Sequence, residues 1–166
     1  MAIALTVPHA VAALILCVAA VAKLRSPGGA ARAIGRAPGA VRAFAAAELA
    51  LGVWALASTT LVAGLLMAGL YAAFAVLTLR LARAGESCGC FGAPSDPASP
   101  LQSGLSAVLA GVAAVAAVAG TRSGDWILGQ PPGVAMLLVL GTAGAVYGVV
   151  LAYSELPLLW KSWSPL

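Results

Sequence analysis

Charge is what this 166-residue chain has least of. Asp, Glu, Lys and Arg together make 8% of it, against about 25% in soluble domains. With 62% hydrophobic residues, the chain cannot cover itself with a polar surface. A free-standing soluble domain is excluded, and an integral membrane protein is indicated. Cysteine is limited to three residues, which excludes a disulfide-stapled fold and a self-contained relay with two complete thiol pairs. The alternating pattern of a membrane β-strand is missing, which leaves helices as the spanning elements. Acidic residues number five against nine Lys and Arg, giving a net charge of +4. That excess does not point to nucleic acid. The bases gather at the ends of apolar segments, where they set topology and meet anionic lipid.

What is present is five apolar stretches, at residues 5–24, 41–57, 61–81, 105–119 and 134–153. Each approaches the roughly 20 residues a helix needs to cross the hydrocarbon core. The expected fold is an all-α membrane bundle of about five spans in a single membrane domain, residues 1–166. Ala20-Val21-Ala22 resembles a signal-peptidase site, but no base precedes the first stretch and Lys23 and Arg25 follow it. That is a stop-transfer pattern, so an uncleaved span is expected. Small residues recur at helical spacing, as in Gly141, Ala145 and Gly148, and let helices approach closely in lipid. Ser26-Pro27 reads as an N-cap with proline at the first position of a short interfacial helix bearing Arg32 and Arg36. Residues 84–103 read as an irregular loop, and 120–130 as a short polar connection. Trp160, Lys161 and Trp163 give the tail an interfacial character.

Five spans place the first and third connections and the C-terminal tail on one side. Lys23, Arg25, Arg32, Arg36, Arg42, Arg80, Arg83 and Lys161 fall there, and only Arg122 falls opposite. The positive-inside rule makes that side cytoplasmic in the cell membrane.

The third connection carries Cys88-Gly89-Cys90-Phe91-Gly92. Two thiols one glycine apart can close a small ring disulfide or hold a soft metal as thiolates. The ring needs backbone angles that glycine supplies most readily, and strained, exposed disulfides are the labile ones. Arg80 and Arg83 upstream favour the reactive thiolate. Cys17, in the first span, reads either as a small buried hydrophobe or as a third thiol that exchanges with the pair. Glu48 is the only acid well inside a span, on the order of 10 Å deep. An acid in lipid is a functional candidate by default. It either pairs with Lys23 or Arg42 or accepts a proton during thiol chemistry. His9 opens the first span at the opposite face and reads as interfacial. Tyr71, near the midplane, is better suited to packing or hydrogen-bonding between helices than to binding a quinone.

Three stretches in order resemble the MauE/DoxX-type family of redox-associated membrane proteins: Ala22-Lys23-Leu24-Arg25-Ser26-Pro27, Ala47-Glu48-Leu49-Ala50-Leu51-Gly52, and Ser87-Cys88-Gly89-Cys90-Phe91-Gly92. The resemblance covers about residues 1–120. It implies a four-helix core laid out like membrane disulfide-forming proteins, and a role in thiol redox maturation beside a thioredoxin-like partner. By motif it carries over Cys88, Cys90, Glu48 and Lys23. Residues 121–166, with the fifth span, lie beyond it.

Three functions compete. The first is a thiol–disulfide redox protein or maturation accessory, with a protein partner and with a quinone in the lipid as the candidate cofactor. The second is a structural accessory subunit of a larger membrane oxidoreductase or respiratory complex, in which the cysteine loop docks. The third, soft-metal handling, ranks last, because a closed zinc site needs four ligands and only Cys17 remains to join the pair.

Overall fold

The computed structural model describes residues 2–87, 98–122 and 124–155. Among them the chain is helical, with seven helices and five spans: α1 (Ala2–Arg25), α2 (Gly28–Ile34), α3 (Pro38–Ala57), α4 (Leu61–Ala84), α5 (Pro100–Ala119), α6 (Gly124–Leu128) and α7 (Pro132–Ser154). All but α2 and α6 are long and apolar enough to cross a membrane. The protein is a multi-pass membrane protein.

Local chemistry sets the boundaries. Pro38, Pro100 and Pro132 stand in the first turns of α3, α5 and α7, where a missing N–H costs nothing. The Thr60 hydroxyl accepts from the Ala63 N–H at 3.3 Å and starts α4. Gly85 ends α4 with φ 71°, a left-handed cap that a residue with a Cβ adopts poorly.

The fourth span starts at Pro100, five residues earlier than its apolar stretch. A capping box extends it: Ser99 Oγ accepts from the Gln102 N–H, and Gln102 Oε1 accepts from the Ser99 N–H. The short helix α2 does form, but Ser26 does not cap it; Pro27 holds that position without a side-chain cap. The helix ends at Gly35, so Arg36 lies past it. The polar connection after α5 also contains the one-turn α6.

Helix α1 is the hub, packed against α3, α5 and α7, while α4 and α5 form the most extensive pair. The core gathers Ala12, Ala13, Ile15 and Leu16 of α1 with Met67 and Tyr71 of α4 and Ala113 of α5. Lipid is as apolar as these side chains, so the gain comes from close packing. Two glycines make that packing close. A Cβ on Gly64 would lie 2.5 Å from the Ala117 Cβ, and one on Gly52 would lie 2.6 Å from Cys17 Sγ. Helix α3 touches α4 far less than it touches α1. The described part of α7 buries only Thr142 and Tyr153.

Candidate functional site

The centre of the candidate site is an ion pair. Lys23 lies two residues from the end of α1, and its side chain slants back toward the helix N-terminus, into the membrane. Glu48 lies ten residues into α3, about 15 Å along the helix and so near mid-span. Lys23 Nζ donates to both carboxylate oxygens, at 2.7 and 2.8 Å. The two side chains are 7% and 0% exposed. Of the two partners expected for Glu48, the structure selects Lys23. Arg42, on the same helix, is exposed.

Two rings complete the surroundings of the ammonium. Its nitrogen sits 4.5 Å from the Phe74 ring centroid and 5.9 Å from that of Phe44. The rings themselves meet edge to face at 6.3 Å, and Tyr71 meets Phe74 in the same way. A buried charge is tolerable only when paired and hydrogen-bonded. Here the carboxylate supplies the pairing and the ring faces add cation–π attraction. The sequence signal for these aromatics is faint: Phe44 precedes Glu48 by four residues and so shares its face.

Beside Lys23 opens a cavity of about 40 Å³, walled by Leu16, Ala19, Phe74, Thr78, Ser106 and Tyr153 among others. Its polar side chains hold the helices together. Tyr71 donates to the Ala12 carbonyl at 2.6 Å. The hydroxyls of Ser106 and Tyr153 lie 2.8 Å apart. Gln102 Nε2 donates to the Tyr153 carbonyl at 2.9 Å. These last two contacts fix the end of α7 to the first turns of α5. As expected, Tyr71 serves packing and hydrogen bonding between helices.

Above the cavity stands the base of the cysteine loop. The Glu86 N–H donates to the Leu81 carbonyl across Gly85, and the Ala98 N–H donates to the Glu86 carbonyl at 2.9 Å. Residues 86 and 98 are thus clasped, and the Ser99 capping box follows at once. Cys88 and Cys90 lie between these anchors, in residues 88–97, outside the described residues.

Cys17 is a half-buried free thiol facing Gly52 of α3. It sits in the α1–α3 contact, two turns below Lys23. His9 packs against the end of α3. It is 4% exposed, and its Nε2 lies 3.1 Å from the Ala55 carbonyl, in the last turn of α3, where carbonyls lack helical partners. Among the described residues no three His, Cys, Asp or Glu side chains form a metal-ligating group.

The family model described as "Methylamine utilisation protein MauE" matches residues 1–122. That span takes in the ion pair, the cysteine loop and all of α5, and stops before α6. No curated protein and no solved structure matches the chain.

Proposed function

The chain belongs to the MauE family, and on that premise we propose that it is a membrane accessory of thiol redox maturation, acting through Cys88 and Cys90 with a thioredoxin-like or other protein partner. The observation that carries this reading is the extent of the match. It joins in one unit the Lys23–Glu48 pair and the loop with both cysteines.

The chemistry is dithiol–disulfide exchange. Oxidation of Cys88 and Cys90 to a disulfide releases two electrons and two protons, and a partner disulfide takes them up as it becomes a dithiol. The reverse exchange runs through the same mixed disulfide. Lys23 engages both carboxylate oxygens of Glu48. The proposed part of Glu48 is positional: the pair locks α1, α3 and the Phe74 turn of α4 under the loop. The loop is proposed to face the cytoplasm, on the strength of the eight bases that share its side.

Mass spectrometry of the 86–98 peptide with and without reductant tests the proposal. A two-hydrogen mass difference confined to Cys88 and Cys90 is expected, together with loss of partner exchange in a Cys88→Ser, Cys90→Ser double variant. Intact function in that variant, with no mass difference at any redox poise, refutes it.

One observation favours the structural-subunit reading: α7 lies outside the family match and buries little of itself. Purification in gentle detergent separates the two. Stable recovery within a dehydrogenase or respiratory assembly, independent of the cysteines, favours the subunit; a thiol-dependent complex with a thioredoxin-like protein favours the accessory.

A further inference from the structure

Helices α3 and α4 are joined by a three-residue turn, yet they touch sparingly. Between them lies an open groove of about 870 Å³, walled by Phe44, Ala47 and Trp54 of α3 and by Leu66, Gly69 and Ala73 of α4. All six are exposed. The groove stands open at Gly69, where an added Cβ would meet nothing within 4 Å. From Phe44 to Trp54 the groove runs ten residues, about 15 Å of helix, which is one leaflet of a hydrocarbon core about 30 Å thick. Glu48 contributes to the floor, but its carboxylate is held by Lys23 and is 0% exposed, so the groove presents carbon along its length.

The end of the groove toward the cysteine loop is charged. Leu66, Ala73 and Arg80 recur every seven residues on α4, so Arg80 stands on the groove face about 10 Å beyond Ala73. Arg83 follows it, and Arg36 and Arg42 flank the start of α3 across the way. All four are exposed, and none forms an ion pair among the described residues. The chain holds no acid before Glu48, and Lys23 already takes that one. On this rim the described acids left over are Glu86 and Glu155. Among the described residues these two acids are fewer than the four arginines, which leaves guanidinium charge on this rim for an external anion.

We propose that this groove and its arginine rim are a binding site for an anionic glycerophospholipid, with one acyl chain between α3 and α4 and the phosphate at Arg80 and its neighbours. A leaflet-length apolar channel opening onto guanidiniums without an ion-pair partner among the described residues matches the two ends of such a molecule. The site stands whether or not the cysteine pair is redox-active.

The test uses the full-length protein in detergent micelles, exposed to equimolar dioleoylphosphatidylglycerol and dioleoylphosphatidylcholine, with retained lipid counted by native mass spectrometry. The wild type should retain the anionic lipid preferentially. Arg80→Gln should lower that preference about fivefold, the share of one basic residue near an anionic headgroup. Gly69→Leu, which fills the groove without entering the core, should lower retention of both lipids, and Ala73→Leu should do the same if the first variant folds poorly. Equal retention of the two lipids by the wild type overturns the proposal. So does a preference unchanged in Arg80→Gln, or retention unchanged in both groove-filling variants. A photocrosslinker at position 69 that captures a second copy or another protein helix rather than lipid also overturns it.

Discussion

The buried pair predicts an asymmetry between its two halves. Deleting one partner of a buried ion pair costs about 3–5 kcal/mol, because the other charge is left without compensation. The two survivors here are not equally trapped. In Glu48→Leu the remaining Lys23 is two residues from the end of α1. Its long stem can carry the ammonium to the interface, and the ring faces of Phe74 and Phe44 offer a further ~0.5–2 kcal/mol. A loss of about 2 kcal/mol is expected. In Lys23→Met the remaining carboxylate is fixed near mid-span, and its short side chain cannot reach water. It escapes ionisation only by taking up a proton, at a cost of about 3–4 kcal/mol at pH 7. A loss of about 4 kcal/mol is expected. It should shrink by about 1.4 kcal/mol for each unit by which the pH is lowered from 7 toward 5, as proton uptake becomes cheaper. The double variant Lys23→Met, Glu48→Leu removes both charges, and should return to within about 1 kcal/mol of the wild type. The assay is unfolding by dodecyl sulfate in mixed micelles, followed by tryptophan fluorescence. The reasoning fails if Glu48→Leu is the more damaging change, if the Lys23→Met deficit ignores pH, or if the double variant is as unstable as Lys23→Met.

Gly52→Ala should destabilise by about 1–3 kcal/mol, because its Cβ would fall 2.6 Å from Cys17 Sγ and 3.0 Å from the Ala13 carbonyl. Adding Cys17→Ala should restore only part of that, as the carbonyl stays, and full recovery in the same unfolding assay would show the carbonyl contact to be soft. Tyr153→Phe should cost about 0.5–1.5 kcal/mol through loss of the Ser106 contact, and unchanged stability would mean the hydroxyls are not coupled. With the loop in the cytoplasm, an impermeant maleimide applied to intact cells after impermeant reductant should leave Cys88 and Cys90 unlabelled, and strong labelling before lysis would place the loop outside.

The spans and the pair at Glu48 were legible for one reason: lipid makes charge expensive. A lone acid within an apolar run must find a base, and Lys23 closes the preceding span on the same side. What was misread depended on finer or more distant terms. The start of α5 hid in Ser99-Pro100-Leu101-Gln102, a capping signal written in polar residues that apolar length alone passes over. The partner of His9 was also hidden, because helix ends expose carbonyls and the neighbouring end of α3 offers one at Ala55. The role of Gly52 required the α1–α3 register, which sets Cys17 against it. The groove between α3 and α4 was not legible at all, because it arises from how far two adjoining helices splay.

The Lys23–Glu48 contact also orders events in time. Membrane chains are made from the N-terminus, at about 5–20 residues per second, so Lys23 leaves the ribosome 25 residues, a few seconds, ahead of its partner. During that interval the lysine can wait at the headgroups. The glutamate has no such refuge at mid-span and needs its lysine already in place when α3 enters the bilayer. The pair therefore makes α1 a receptor for α3, and the first two spans can pair as a hairpin before α4 enters the bilayer. Protease protection of arrested nascent chains would display this as poorer insertion of α3 in Lys23→Met than in the wild type. Helix α1 then acts as an assembly template for the next span.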